Sequence, residues 1–205
     1  MKKVGFLGGS FDPPHIGHIH LAIRLKEIFG LDHVIFSPAS VSPFKVESPP
    51  IASSELRLQM ARDAFEGIEG FEVCDFELGT SRASFTIDTI RHFIERDMAE
   101  GKKQEYHLLL GEDVLHGLSR WKEAPSLIDL ASPLIGTREG FDYQELEGFE
   151  RSVCQKIISG YAKIPSIDVS STDIRNRLAS GLYVGHLVVP KVLDTIYKHR
   201  IYSCQ

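Results

Sequence analysis

Two histidines three positions apart, His15 and His18, follow a glycine pair and precede an apolar periodic run, in GGSFDPPHIGHIHLAIRL at 8–25. Imidazole donors at this spacing share a face if both lie in a first helical turn. There they could stabilise charge building on a transferred phosphoryl group. Gly8 and Gly9 let backbone approach a ligand that a Cβ would block. Ser10, Phe11 and the local N–H groups then form a phosphate-binding loop that the following helix N-terminus faces. The same HxxH pair could be half of a metal site, yet nothing in the sequence points to a third ligand. No GK[ST] follows, so the segment is not a Walker A loop, and it is not GxGxxG.

Two further groups carry polar chemistry. Gly111, Glu112 and Asp113 follow the apolar run HLLL. Gly111 permits close approach of a ligand, and Asp113 could bind a ribose hydroxyl, help set a magnesium–phosphate geometry or cap a helix. Ser170, Ser171, Thr172, Asp173, Ile174 and Arg175 form a hydroxyl-rich helix start. Capping accounts for the hydroxyls but not for Arg175, a cation opposing the helix dipole, which an anionic ligand would reconcile. Lys45, on a long loop, could close over phosphates or be a solvated lysine. Arg138 could face the same cleft. Trp121, the single tryptophan, could stack on a flat ring or pack in the core. Thr86, Asp88 and Thr89 start a helix and could cap it; Arg57 and Met60 read as structural or supporting residues.

The elements that must position these residues follow from periodicity. Val4 to Leu7 reads as a buried strand entering a tight loop. Ile16, Ile19 and Ile23, thickened by Leu21, Leu25 and Ile28, read as a helix ending at Gly30, and Val34 to Phe36 as the next strand. Strand, helix, strand within about 35 residues is a βαβ unit with a right-handed crossover. Residues 38–53 form a Pro/Ser-rich loop. A helix is expected over Ser54 to Phe65, with Leu56, Met60 and Ala64 on one face, and a strand over Phe71 to Phe76. A helix near 84–99 carries Ile87, Ile90, Ile94 and Met98. Strands follow at His107 to Leu110 and 131–136, then a helix over 143–158 and a short strand at Ile167 to Val169. Ser171 or Thr172 should cap a helix carrying Ile174 and Leu178, and a last helix starts at Pro190. The alternation predicts an α/β, Rossmann-like, doubly wound sheet, mainly parallel, with helices on both faces. It places all three polar groups at the carboxyl ends of strands.

The 205 residues suit one domain, 1–205, with a C-terminal helical part from about 170 to 205 completing the nucleotide site. A net charge of -5 gives no support for nucleic-acid binding, which needs clustered Lys and Arg. Cys74, Cys154 and Cys204 form no CxxC pair and read as thiols in a reducing compartment. The basic-apolar start is too short for a signal peptide, and no apolar run reaches the roughly 20 residues of a membrane span. A soluble cytoplasmic protein is expected; homo-oligomerisation stays open.

GGSFDPPHIGH at 8–18 and SSTDIR at 170–175 together resemble the two signatures of the HxGH nucleotidyltransferases, and more closely those of bacterial nicotinate-nucleotide adenylyltransferases. The resemblance runs nearly the whole length, through SPASVSPFK, SFTIDT, LLLGEDVLHGLSRW, TREG and VGHLVVPKVLDTIYKHRIY. It implies a Rossmann-like fold and AMP transfer from ATP, with Mg2+, to nicotinate mononucleotide. It assigns ATP phosphates and transition-state charge to His15 and His18, phosphate to Ser10, departing pyrophosphate to Arg175 and ribose to Asp113. Trp121 and the Ser84–Phe85–Thr86 stretch would meet the pyridine substrate. Two positions depart from the pattern: Phe44 replaces a histidine in the loop, and Glu112 a small residue. The neighbouring possibilities are a nicotinamide, phosphopantetheine or glycerol-phosphate nucleotidyltransferase, and, of a different class, a nucleotide sensor without turnover.

Overall fold

The computed structural model describes residues 1–40, 49–79, 85–137, 146, 148–165 and 167–203. Six strands form one sheet in the order β3-β2-β1-β4-β5-β6. They are β1 (Lys2–Gly9), β2 (His33–Pro38), β3 (Phe71–Val73), β4 (Gln104–Gly111), β5 (Ala131–Thr137) and β6 (Tyr161–Lys163). The β1–β4, β4–β5 and β5–β6 ladders are parallel, with Phe6 opposite Leu108 and Gly111 opposite Gly136. The order reverses direction between β1 and β4, as in doubly wound sheets. Helices are α1 (Ile16–Phe29), α2 (Ser54–Phe65), α3 (Thr86–Ala99), α4 (Leu115–Leu118), α5 (Ala124–Leu130), α6 (Arg151–Ser159), α7 (Ser171–Ala179) and α8 (Pro190–His199).

The chain sorts into two compact units. One comprises Met1–Leu7, Leu21–Ile35 and Phe85–Ser166; the other comprises Gly8–His20, Phe36–Ser84 and Ile167–Gln205. In the first, successive strand residues face opposite sides. The Cβ directions of Gly5 and Gly136 point at Leu31 and Leu109, and at Leu21 and Ile164, which sets α1 on that face. Phe6 meets Phe93 of α3, and Tyr106 stacks on the same ring, on the opposite face. Helices therefore cover both faces of the sheet. Within the second unit, Phe36, Phe65 and Phe11 form an aromatic core, with the first two stacked at 3.5 Å. Helix α8 is fastened to α2 by Thr195 donating to Asp63 and by the Lys191–Glu66 pair.

Several expected elements moved. Residues 167–170 form no strand, and the sixth strand is instead β6 at Tyr161–Lys163. The alternation Ile167, Val169 reads as a strand, but among the described residues it pairs with no strand. The serine–threonine segment consequently does not lie at a strand end. Helix α6 begins at Arg151, later than position 143; residues 143–145 lie outside the described residues. Strand β3 stops at Val73, where Phe76–Gly79 turn into a 3-10 segment. On α3 the buried stripe is Ile87, Ile90, Phe93 and Asp97, while Met98 is 73% exposed. Met98 fails as a core residue because Asp97 takes the inward position, accepting from Tyr106 at 2.6 Å and Gln104 at 2.7 Å. Ile28 is likewise exposed, and Ala22 and Leu25 fill the buried face of α1.

Candidate active site

In the second unit the strand-to-helix joint is shaped by two buried charges. Phe11 takes φ 47 and is fully buried against Phe36 and Phe65. Its burial makes it a packing anchor for the loop, although the sequence placed it among the phosphate contacts. The buried Arg57 guanidinium donates to the carbonyl of Ser10 at 2.8 Å, and to those of Ala39 and Ser40 at 2.6 and 3.0 Å. Burial holds its pKa below the ordinary arginine value, with Asp12 and Tyr202 opposing the shift. Asp12, also buried, accepts from the N–H groups of Ile51 and Ala52 at 2.8 and 3.0 Å and from the Tyr202 hydroxyl at 2.6 Å. Buried charges need such partners to be tolerated.

His15 immediately precedes α1, and His18 lies in its first turn. Their rings lie 3.8 Å apart at 31°, with Phe11 edge-on to His18 at 5.0 Å. The two rings thus meet side by side although His15 lies just before the helix and not in its first turn. The His15 N–H donates to Nδ1 of His18 at 3.2 Å. An accepting Nδ1 puts the proton of neutral His18 on Nε2, making that atom a donor. His15 is 9% exposed; burial pushes its pKa down to about 4, and its Nδ1 has no hydrogen-bond partner. A neutral His15 can still donate through one ring nitrogen. Gly17 lies against the same ring: a Cβ there would sit 3.0 Å from His15 Nδ1 and 2.8 Å from Val169 Cγ1. The glycine between the histidines is thus required by the adjacent His15 imidazole.

Helix α7 meets this loop. Ser170, not Ser171 or Thr172, is the N-cap, accepting from the Asp173 N–H at 3.1 Å. Ser171 is displaced from capping because its hydroxyl donates to the Pro13 carbonyl at 2.8 Å. Arg175 donates to the Asp12 carbonyl at 2.8 Å and to the Thr172 hydroxyl at 3.1 Å. The Ile16 N–H donates to the Leu187 carbonyl at 3.0 Å, a second tie to the C-terminal segment. The structure thus gathers Ser10, His15, His18, Ser171, Thr172 and Arg175 around one loop, with Gly8 and Gly9 leading into it. Sequence reasoning missed Asp12 and Tyr202 and set Arg57 aside. The pair FD inside the glycine–histidine motif was the available signal for Asp12.

In the first unit, Gly111 ends β4 and Glu112–Val114 turn in a 3-10 segment. A Cβ on Gly111 would meet Asp113 Oδ1 at 2.6 Å, so the space beside Gly111 is taken first by the aspartate itself. Asp113 is exposed, and its neighbour Glu112 accepts from Thr137 at 2.8 Å. Trp121 is half-buried, not a core residue. Its segment is pinned to the start of α3: Lys122 pairs with Asp88 at 2.9 Å and lies 4.8 Å over the Phe85 ring, while Arg91 holds Glu123 at 2.6 Å. These ties bring the Trp121 segment to Phe85 and Thr86. Phe85 is the N-cap of α3 and makes no side-chain cap. Lys45, Phe44, Ser84 and Arg138 lie outside the described residues.

Among the described residues no group of three His, Cys, Asp or Glu side chains could hold a metal ion. Neither Cys74 nor Cys154 forms a disulfide. No described helix is long and apolar enough to cross a membrane.

The cytidylyltransferase-like family model matches residues 6–177. A Clostridium beijerinckii protein named probable nicotinate-nucleotide adenylyltransferase is 32% identical over 204 residues, covering 98% of this chain and all of that protein. A Clostridium perfringens protein of the same name is 35% identical over 206 residues, covering 98% of each. The solved Plasmodium falciparum nicotinic acid mononucleotide adenylyltransferase complexed with NaAD matches 98% of both chains with TM-score 0.75 at 18% identity, a likeness of fold. With a matched signature loop, a doubly wound sheet and full-length relatives above 30% identity, the chain belongs to the cytidylyltransferase-like family, within the nicotinate-nucleotide adenylyltransferase group.

Proposed function

We propose that the chain transfers AMP from Mg–ATP to nicotinate mononucleotide, giving deamido-NAD and pyrophosphate in NAD biosynthesis. The observation that carries this is the close His15–His18 ring pair on the loop held by Arg57 and Asp12, with Arg175 of α7 bonded to the same loop. The relatives' shared name supports the acceptor. A phosphate oxygen of the mononucleotide attacks the α-phosphorus of ATP in line. The bond from that phosphorus to the bridging oxygen breaks, and pyrophosphate leaves with the electron pair. The attacking phosphate is already an anion, so no covalent enzyme intermediate is required. His18, through Nε2–H, and neutral His15 donate to phosphoryl oxygens as charge builds. Thr172 and the free N–H groups of α7 receive phosphate, and Arg175 holds the departing pyrophosphate. Ser171 contributes by locking α7 to Pro13.

Magnesium arrives as part of the Mg–ATP substrate, held by phosphates and water. The carboxylate nearest the histidines in sequence, Asp12, already has its oxygens engaged by Ile51, Ala52 and Tyr202. On this reading Asp113 binds the adenosine ribose, and Phe85, Thr86 and Trp121 meet the pyridine mononucleotide, with Ser84 and Arg138 as further acceptor contacts and Lys45 closing over phosphate. The chain works as one nucleotidyltransferase domain whose segment 170–205 completes the nucleotide site, in the reducing cytoplasm that cysteines outside any disulfide, Cys74 and Cys154, suit.

Steady-state pyrophosphate release at fixed Mg–ATP, with a panel of acceptors, tests the reading. Nicotinate mononucleotide should exceed nicotinamide mononucleotide in kcat/KM by roughly tenfold to a hundredfold, the value of a charge-assisted bond to the ring carboxylate. Equal or reversed preference would reassign the acceptor. No release with any acceptor would favour a sensor.

A further inference from the structure

The C-terminal tail contributes a group that neither the motif nor the transfer chemistry uses. Tyr202 follows α8, takes φ 64, and is 7% exposed. Its hydroxyl donates to Asp12 Oδ1 at 2.6 Å across 190 residues of chain. The Ala52 N–H gives that oxygen its second bond, and the Ile51 N–H serves Oδ2. Among the described residues the carboxylate therefore has three hydrogen-bond donors, none of them a cation. Arg175 Nη1 stands 3.9 Å from Oδ2, beyond hydrogen-bond reach, and donates instead to the neutral Asp12 carbonyl and Thr172 hydroxyl. An arriving anion thus competes for the hydrogen bonds of Arg175 with neutral acceptors, weaker partners than a carboxylate, and with a longer 3.9 Å ion pair to Oδ2.

We propose that Tyr202 is a positioning residue: by completing the donor set of Asp12 it keeps Arg175 from collapsing onto that carboxylate and holds it available for the pyrophosphate part of the nucleotide. This rests on the reading of Arg175 as the pyrophosphate ligand. Without the hydroxyl, Oδ1 loses a short bond inside the protein. Arg57 also feels the Asp12 charge, but it is committed to Ser10, Ala39, Ser40 and Ser54. Among the described residues Arg175 is the cation left within 4 Å to answer the deficit, and a small rotation would bring it to Asp12. Burial, reinforced by the bond to Asp12, raises the Tyr202 pKa, so the hydroxyl stays a donor throughout the working range.

The test is Tyr202→Phe, with pyrophosphate affinity by calorimetry, KM for ATP and for nicotinate mononucleotide, and melting temperature. Pyrophosphate Kd and KM for ATP should each rise by roughly tenfold, the worth of one charge-assisted contact, while KM for the mononucleotide stays put. Adding Asp12→Asn removes the rival negative charge and should restore much of the pyrophosphate affinity; a packing role for Tyr202 would predict further loss. Arg175→Ala, run in parallel, separates the two levels. If it weakens pyrophosphate binding and Tyr202→Phe does not, the positioning role is overturned and the role of Arg175 stands. If neither variant changes pyrophosphate binding, both are overturned. Parallel loss in both substrates together with a fall in melting temperature also overturns the proposal. Should Tyr202→Phe alone fail to fold, the double variant decides: near-parental pyrophosphate Kd supports the proposal, and weak binding by the folded double variant rejects it.

Discussion

Replacing Gly17 by alanine separates catalytic geometry from stability. The position lies in the first turn of α1, and its φ is outside the left-handed range, so alanine suits the backbone. Helix propensity alone would favour the change by about 1 kcal/mol. Against this, the new methyl would lie 2.8 Å from Val169 Cγ1, 3.0 Å from His15 Nδ1 and 3.1 Å from His15 Cε1. Side-chain carbons normally stay beyond about 3.5 Å, so the His15 ring or the Val169 segment must yield by several tenths of an ångström. Overpacking of this kind costs about 1–3 kcal/mol. The net effect on stability should therefore be small, about 0–2 kcal/mol of destabilisation. Turnover should suffer more, because the displaced ring is the one lying 3.8 Å from the His18 ring. A misplacement near 1 Å costs on the order of a hundredfold in rate; this smaller shift should cost roughly tenfold to a hundredfold in kcat. Pyrophosphate-release kinetics and thermal melting on the same preparation supply both numbers. Parental kcat in folded Gly17→Ala would refute the claim that the adjacent His15 imidazole requires a glycine.

His18→Ala should lower kcat by on the order of a hundredfold or more, the cost of one transition-state donor, with an unchanged far-ultraviolet spectrum; turnover near the parental value would remove His18 from the chemistry. Trp121→Ala should raise KM for nicotinate mononucleotide by roughly tenfold, as loss of an aromatic platform would, and leave KM for ATP alone; the opposite split would move Trp121 away from the acceptor. Stability should also depend on acid through His15, whose burial holds its folded pKa at about 4, below the ordinary histidine value of 6.5. The unfolded chain then binds the extra proton first, so stability falls as pH drops from about 6.5 towards 4, by about 3 kcal/mol for this group. His15→Gln should flatten that part of the melting-temperature profile, and identical slopes in both proteins would contradict a buried neutral imidazole.

The sequence by itself determined what local pattern can determine. The apolar run ending in two glycines became β1, and the periodic run after His18 became α1. Helix α2 occupies the expected Ser54–Phe65, and Pro190 opens α8. The alternation of these elements was enough for a doubly wound sheet, and the HxxH spacing for paired imidazoles, because each depends on a few neighbouring residues. Tertiary structure decided whatever needed a distant partner. The alternation at 167–169 became no strand, finding no pairing partner among the described residues, whereas Tyr161–Lys163, too short to carry a pattern, became β6 by pairing with Ile135–Thr137. Which helix residue faced inward on α3 was settled by Tyr106 and Gln104 reaching Asp97, not by hydrophobicity. The assembly around Asp12 was the least legible part: its partners lie 39, 40, 163 and 190 residues away, distances over which periodicity carries no information. A buried carboxylate must find donors wherever the folded chain brings them, and here they come from Ile51 and Ala52 and from the C-terminal tail, while α7 bonds the Asp12 carbonyl.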